Sequence, residues 1–159
     1  MAGDGGADTL NLSFVGLATD GSDQGTIHVL DAETVNIATD ARDQDYYTER
    51  LNQSSQVPPK HLSDVPTDPF AQVLDLDVTT TLTLSGETGW DFTVAGTDIG
   101  IVTLLDASGV TGAGVVGAVA AIATGSAAVT FKGGGGDDTF GGAAGSDTFD
   151  GGGGFDTVK

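Results

Sequence analysis

Residues 133–159 read GGGGDDTFG GAAGSDTFD GGGGFDTVK when cut into nines. Each nonapeptide carries Gly at position 1, Gly at position 4, Asp at position 6, Thr at position 7 and an apolar residue at position 8. The aspartates are Asp138, Asp147 and Asp156; the apolar residues are Phe140, Phe149 and Val158. The middle copy departs at position 2, where Ala143 replaces glycine. Glycine-rich positions permit the positive φ of a tight loop. Such a loop turns its carbonyls towards a hard cation, and the aspartate adds a charged oxygen. Calcium takes about 6–8 oxygen ligands, so carbonyls and carboxylates together suit it. A flexible linker is the other reading of a Gly-rich stretch. A linker, however, gives no reason for Asp-Thr-apolar at every ninth residue.

This grammar resembles the calcium-binding nonapeptide G-G-x-G-x-D-x-U-x of RTX proteins. The resemblance implies a right-handed parallel β-helix of β-roll type. Position 8 then points into the coil, and two nonapeptides make one 18-residue turn. Repeats n and n+2 would stack at the ~4.8 Å strand spacing. Calcium is expected between stacked loops, with Asp138 and Asp156 sharing one ion. Asp147 would lie on the other edge and need a partner from a neighbouring coil. The expected metal site also includes Gly133, Gly135, Gly142, Ala144, Gly151 and Gly153, at positions 1 and 3. Residues 3–11, GDGGADTLN, repeat the pattern with Gly3, Gly6, Asp8, Thr9 and Leu10 in place, although Asp4 occupies a glycine position. Gly3 and Asp8 therefore join the candidates.

Composition agrees with a cation-collecting surface. The 159 residues carry a net charge of −18, with five basic residues. That opposes binding to nucleic acid or anionic lipid. There is no cysteine, so calcium is the available staple in place of disulfides. Folding is then expected to depend on calcium. No signal peptide is visible at Met1-Ala2-Gly3-Asp4, and RTX-like proteins leave the cell by a one-step route read from the C-terminus. The longest weakly apolar run, 112–123, is too short and too rich in Gly and Ala to span a bilayer. The chain reads as a fragment or a single module of a longer array, at the surface of a bacterium or outside it.

Before the repeats, the sequence alternates apolar and polar residues in short runs, the pattern of half-buried strands. These are Leu10 to Phe14, Thr26 to Val29, Thr34 to Ile37, Val73 to Val78, Thr81 to Leu84, and Val129 to Phe131. Ile101, Val102, Leu104 and Leu105 suggest a strand buried on both faces. Leu105-Asp106-Ala107-Ser108-Gly109 reads as a corner. Residues 114–123 read as a strand of small residues. Trp90 is expected at a coil edge, and His28 on the outer face.

Residues 39–70 interrupt this rhythm. They hold both tyrosines, Arg42, Arg50, Lys60, His61 and all four prolines. A short helix capped by Asp40 is expected from 40 to 51, within an insertion that projects from the coil. The whole chain is expected to be one all-β domain. Residues 73–159 also resemble bacterial surface-layer and large adhesin proteins, in which such stretches lead into RTX repeats.

The function expected is a structural calcium-binding module, with copies joining head to tail when a loop at one end completes a half-site at the other. The alternative is a fragment of a calcium-dependent polysaccharide lyase or hydrolase of β-helix fold, with Arg42, Arg50 or Lys60 beside Asp75 or Asp77. No catalytic motif supports that alternative, so the chain is not expected to be an enzyme.

Overall fold

The computed structural model describes residues 6–15, 26–40, 73–87, 89–92, 98, 101–111, 116–117, 128–141 and 145–159. They are all-β, with no helix among them. In chain order the strands are β1 (Thr9–Val15), β2 (Thr26–Val29), β3 (Thr34–Asp40), β4 (Val73–Leu76), β5 (Thr81–Gly86), β6 (Leu104–Val110), β7 (Val116–Gly117), β8 (Thr130–Lys132), β9 (Thr139–Phe140), β10 (Thr148–Asp150) and β11 (Thr157–Val158). Three sheets result, ordered β1-β3-β5-β6-β8-β10, β11-β9-β7 and β2-β4. Every pairing between these strands is parallel.

The register follows the alternation. Leu10, Val35, Leu82, Leu105, Phe131 and Phe149 occupy one column of the large sheet. Threonines fill most of the column before it, with Thr9, Thr34, Thr81, Thr130 and Thr148 broken by Leu104. Because strand side chains alternate faces, one register puts every apolar member on the same side. Val35, Leu82, Leu105 and Phe131 are accordingly buried, and they share a core with Leu74, Leu76 and Phe140 from the two smaller sheets. Phe131 stacks on Phe140 at 5.1 Å and on Phe149 at 5.4 Å, so the core runs into the glycine-rich repeats.

Four local expectations change. Trp90 is fully buried rather than at an edge, stacked on Phe92 at 5.7 Å with Phe14 edge-on at 6.1 Å. The segment read as a corner lies inside β6. Asp106 Oδ1 accepts hydrogen bonds from the N–H and hydroxyl of Ser108, and the register against β5 shifts there. The same Asx geometry that favours a turn has made a bulge. Ile101 is exposed and lies outside the strand, so the run 101–105 is not buried on both faces. Thr39 and Asp40 complete β3, so the strand reaches into the segment read as an insertion. Asp40, read as the cap of a helix, is the last residue of that strand, and the rest of the expected helix lies outside the described residues, as does the insertion from 41 to 70. Of 114–123, Val116 and Gly117 form β7; the others lie outside the described residues.

Candidate metal centre

Strand β8 feeds the loop 133–138, and β10 feeds the loop 151–156. The second loop lies against the first, eighteen residues on. Gly153 N–H donates to Gly134 O at 2.9 Å, Thr157 N–H to Asp138 O at 2.8 Å, and Gly133 N–H to Asp150 O at 2.7 Å. Side chains tie the loops as well. Asp138 N–H donates to Asp156 Oδ1 at 3.0 Å, and Phe155 N–H donates to Asp137 Oδ1 at 2.8 Å. Within the first loop Gly134 N–H donates to Asp138 Oδ2 at 2.8 Å. Asp138 is buried at 1 % exposure, whereas Asp156 is exposed.

The glycines are there for room. A Cβ on Gly133 would fall 2.2 Å from Gly151 O and 2.3 Å from Asp138 Oδ2. One on Gly151 would fall 2.0 Å from Asp156 Oδ2. Positive φ is confined to Gly152 and Gly154 among the described repeat glycines. At position 1, Gly133 and Gly151, close approach is the constraint instead. The donor set at this point is oxygen alone: two carboxylates and the loop carbonyls. Hard oxygens of this kind fit calcium rather than a thiophilic metal. No group of three or more His, Cys, Asp or Glu side chains able to hold a metal gathers among the described residues. An ion at Asp138 and Asp156 would therefore take most of its ligands from carbonyls and water.

Asp147 stands apart from this pair. It precedes β10 in the large sheet, and its Oδ1 accepts from Val129 N–H at 2.9 Å. Its register neighbour eighteen residues earlier is thus apolar. Gly135 and Gly153 are exposed in the two loops. Gly3, Gly142 and Ala144 lie outside the described residues. Asp8 precedes β1 and is exposed.

Glu33 was missed. Its Oε2 accepts from Asp8 N–H at 2.7 Å, the contact that Asp156 makes to Asp138. The clue is the triplet Glu33-Thr34-Val35, which repeats acid-Thr-apolar at a spacing of 25 rather than nine. Between Glu33 and Asp147 the same position of the large sheet holds Thr80, Thr103 and Val129. The hydroxyls of Thr80 and Thr103 donate to Glu33 O at 3.4 Å and Thr80 O at 3.3 Å.

Two close polar side-chain pairs lie on the outer faces. His28 Nδ1 is 2.7 Å from Asp75 Oδ2 on the adjacent strand, and the backbone at Asp75 pairs in parallel with that at Asp98. Arg42, Arg50 and Lys60, imagined beside Asp75, lie outside the described residues. Lys132 Nζ is 2.8 Å from Asp106 Oδ2. Burial pushes the Asp106 carboxyl up, but the hydrogen bonds from Lys132 and Ser108 outweigh this and hold it below the usual range. The hydrogen bond to Asp106 raises Lys132.

No family model, curated protein or solved structure matches this chain. No helix among the described residues is long and apolar enough to cross a membrane.

Proposed function

We propose that the chain is a calcium-binding structural module of RTX type, belonging to a bacterial extracellular or surface protein such as a surface layer or adhesin. The carrying observation is the pair of acid-tipped glycine loops stacked eighteen residues apart, with Asp156 Oδ1 accepting from Asp138 N–H. When bound, calcium supplies the positive charge that lets the loop carboxylates of a −18 chain sit together. Asp138 is the inner ligand and Asp156 the outer one, while Gly133 and Gly151 keep the space beside their carboxylates clear.

A right-handed parallel β-helix is the winding that this reading favours. β8 and β9 belong to different sheets, yet each pairs with the strand eighteen residues on. β2 and β3 likewise share one offset of 47 to β4 and β5, as if a single insertion lengthened that coil. Crossovers between parallel strands are right-handed in nearly all cases. Extracellular calcium modules bind at ~10⁻⁴–10⁻³ M, so the loops would fill outside a cell and not in a cytosol. Val158, in register with buried Phe140, is exposed on the terminal strand of its sheet, where a further coil would cover it, whether from the same chain or from a second copy joined head to tail.

Isothermal calorimetry with calcium tests the metal reading. Binding that Asp138→Asn abolishes supports it. Heat unchanged from a buffer blank at millimolar calcium overturns it.

A further inference from the structure

Side-chain bonds cross the seam where the nonapeptides meet the preceding coils. On the outer face Lys132 Nζ reaches Asp106 Oδ2 at 2.8 Å. At the edge of the large sheet Asp147 Oδ1 accepts from Val129 N–H at 2.9 Å.

The level below Asp147 is not a complete nonapeptide. Eighteen residues before Gly142 the sequence reads TGSAAVTFK, residues 124–132. Thr130 and Phe131 keep positions 7 and 8, in register with Thr148 and Phe149. The glycines of positions 1 and 4 and the aspartate of position 6 are replaced by Thr124, Ala127 and Val129. Asp156, by contrast, meets another acid, Asp138, across its loops. Calcium takes about 6–8 oxygen ligands. Beside Asp147 it would find one carboxylate and, on the level below, a valine.

Val129 has its own use for that carboxylate. The residue is 1 % exposed, and buried backbone N–H groups are nearly always paired. Its carbonyl is answered as well, by Thr148 N–H at 2.9 Å. Asp147 and Thr148 thus hold both backbone groups of one residue on the level below. Glu33 and Thr34 hold Asp8 in the same way, at 2.7 and 3.1 Å. Asp156 and Thr157 hold Asp138 at 3.0 and 2.8 Å. The offset is 25 residues in one case and 18 in the others, and the residue held is an acid or a valine. The contact therefore belongs to the acid-Thr pair itself, and neither a glycine loop nor a second acid is required for it.

We infer that Asp147 is a backbone clamp and not a metal ligand: with Thr148 it locks β10 onto Val129, and no cation takes part. This goes beyond the calcium reading, which concerns the edge at Asp138 and Asp156. The Asp-Thr signature then marks a mechanical contact between levels as well as a cation site, and the nonapeptides hold more aspartates than ions require.

Asp147→Asn and Asp147→Ala separate the two roles, because asparagine keeps an acceptor oxygen and loses the charge. Urea denaturation in calcium and in chelator is read together with exchange of the Val129 amide. Asp147→Asn is expected to keep the folding equilibrium constant within about 2-fold of the unmodified chain in both conditions. Its calorimetric calcium titration should match the unmodified chain in stoichiometry and dissociation constant. Asp147→Ala leaves a buried N–H unanswered and should lower the folding constant roughly 5- to 150-fold, alike with and without calcium. Protection of the Val129 amide should be lost in Asp147→Ala and kept in Asp147→Asn. If Asp147→Asn loses as much stability as Asp147→Ala, or loses an ion from the titration, Asp147 acts through its charge and the inference is overturned. An Asp147→Ala protein as stable as the unmodified chain overturns it too. If Asp147→Ala does not fold, Asp147→Asn still decides through its stability and its ion count. An unmodified chain that binds no calcium overturns the calcium reading alone, and the denaturation and exchange arms then test the clamp by themselves.

Discussion

Asp156 Oδ1 accepts a hydrogen bond from the backbone N–H of Asp138 at 3.0 Å, across eighteen residues of sequence. The two acids of one candidate centre are thus joined through a backbone group before any ion is considered. Their losses should be coupled. At calcium about 100 times its dissociation constant, one site contributes about 2.7 kcal/mol. Asp138→Asn and Asp156→Asn should each cost about that much, and the double variant little more than either. Urea denaturation of the four proteins in calcium measures the cycle. Additive losses would mean that the loops do not share an ion.

Gly86 and Gly135 should respond differently to the same methyl group. Gly86 has φ +113°, and a Cβ there would fall 1.9 Å from Thr39 O. Left-handed backbone alone costs an L-residue about 1–2 kcal/mol, so Gly86→Ala should lose more than that once the clash is added. Gly135 offers 3.5 Å to the nearest atom and carries no positive φ. Gly135→Ala should stay within about 0.5 kcal/mol, and it leaves the carbonyl at that position intact. Thermal unfolding in calcium distinguishes the two.

The phenylalanines of the repeat block divide by burial. Phe131 is fully buried between Phe140 and Phe149, whereas Phe155 is 89 % exposed. Phe131→Ala is expected to cost about 3–5 kcal/mol. Phe155→Ala in dilute protein should change stability by less than about 0.5 kcal/mol. Equal losses would contradict the core as described.

The seam between Asp106 and Lys132 has a pH signature. The folded carboxyl of Asp106 lies below its ordinary value of 3.8. Its contribution is therefore complete above 3.8 and is lost as the pH falls through the lowered value. Lys132 is raised above 10.5, so its contribution persists below that value and fades only as the pH rises beyond it. Lys132→Met should lower stability slightly where the pair is intact, above about pH 4, and the difference should shrink as the pH falls through the Asp106 value; it is small throughout, since an exposed pair contributes little. Urea midpoints of both proteins across the acid range provide the check. Parallel acid limbs would show that the pair does not act on stability.

Much of this arrangement was legible in the sequence, for reasons that particular residues make plain. The alternation of Leu10 to Phe14 and of Thr81 to Leu84 encodes a period of two, and one register then satisfies all levels. The nonapeptides encode their own offset, so the pairing of Thr157 with Thr139 followed from counting. Asp106-Ala107-Ser108 was misread because its local hydrogen bonds serve a turn and a bulge equally well. Only the partner strand decides between them, and that is a distant contact. Trp90 carries no periodic signal, and its burial depends on Phe14, far away in sequence. Glu33 escaped because its match to Asp8 lies 25 residues away, an offset that the nine-residue period does not reach.

Melting temperature with and without calcium tests the central claim most directly. At calcium about 100 times its dissociation constant, each site should add about 2.7 kcal/mol. For a chain of this size that is a rise of roughly 5–11 °C per site. The account predicts that rise, its reversal by a chelator, and its disappearance in the variant lacking both Asp138 and Asp156 carboxylates. A melting temperature that is the same in calcium and in chelator would contradict it.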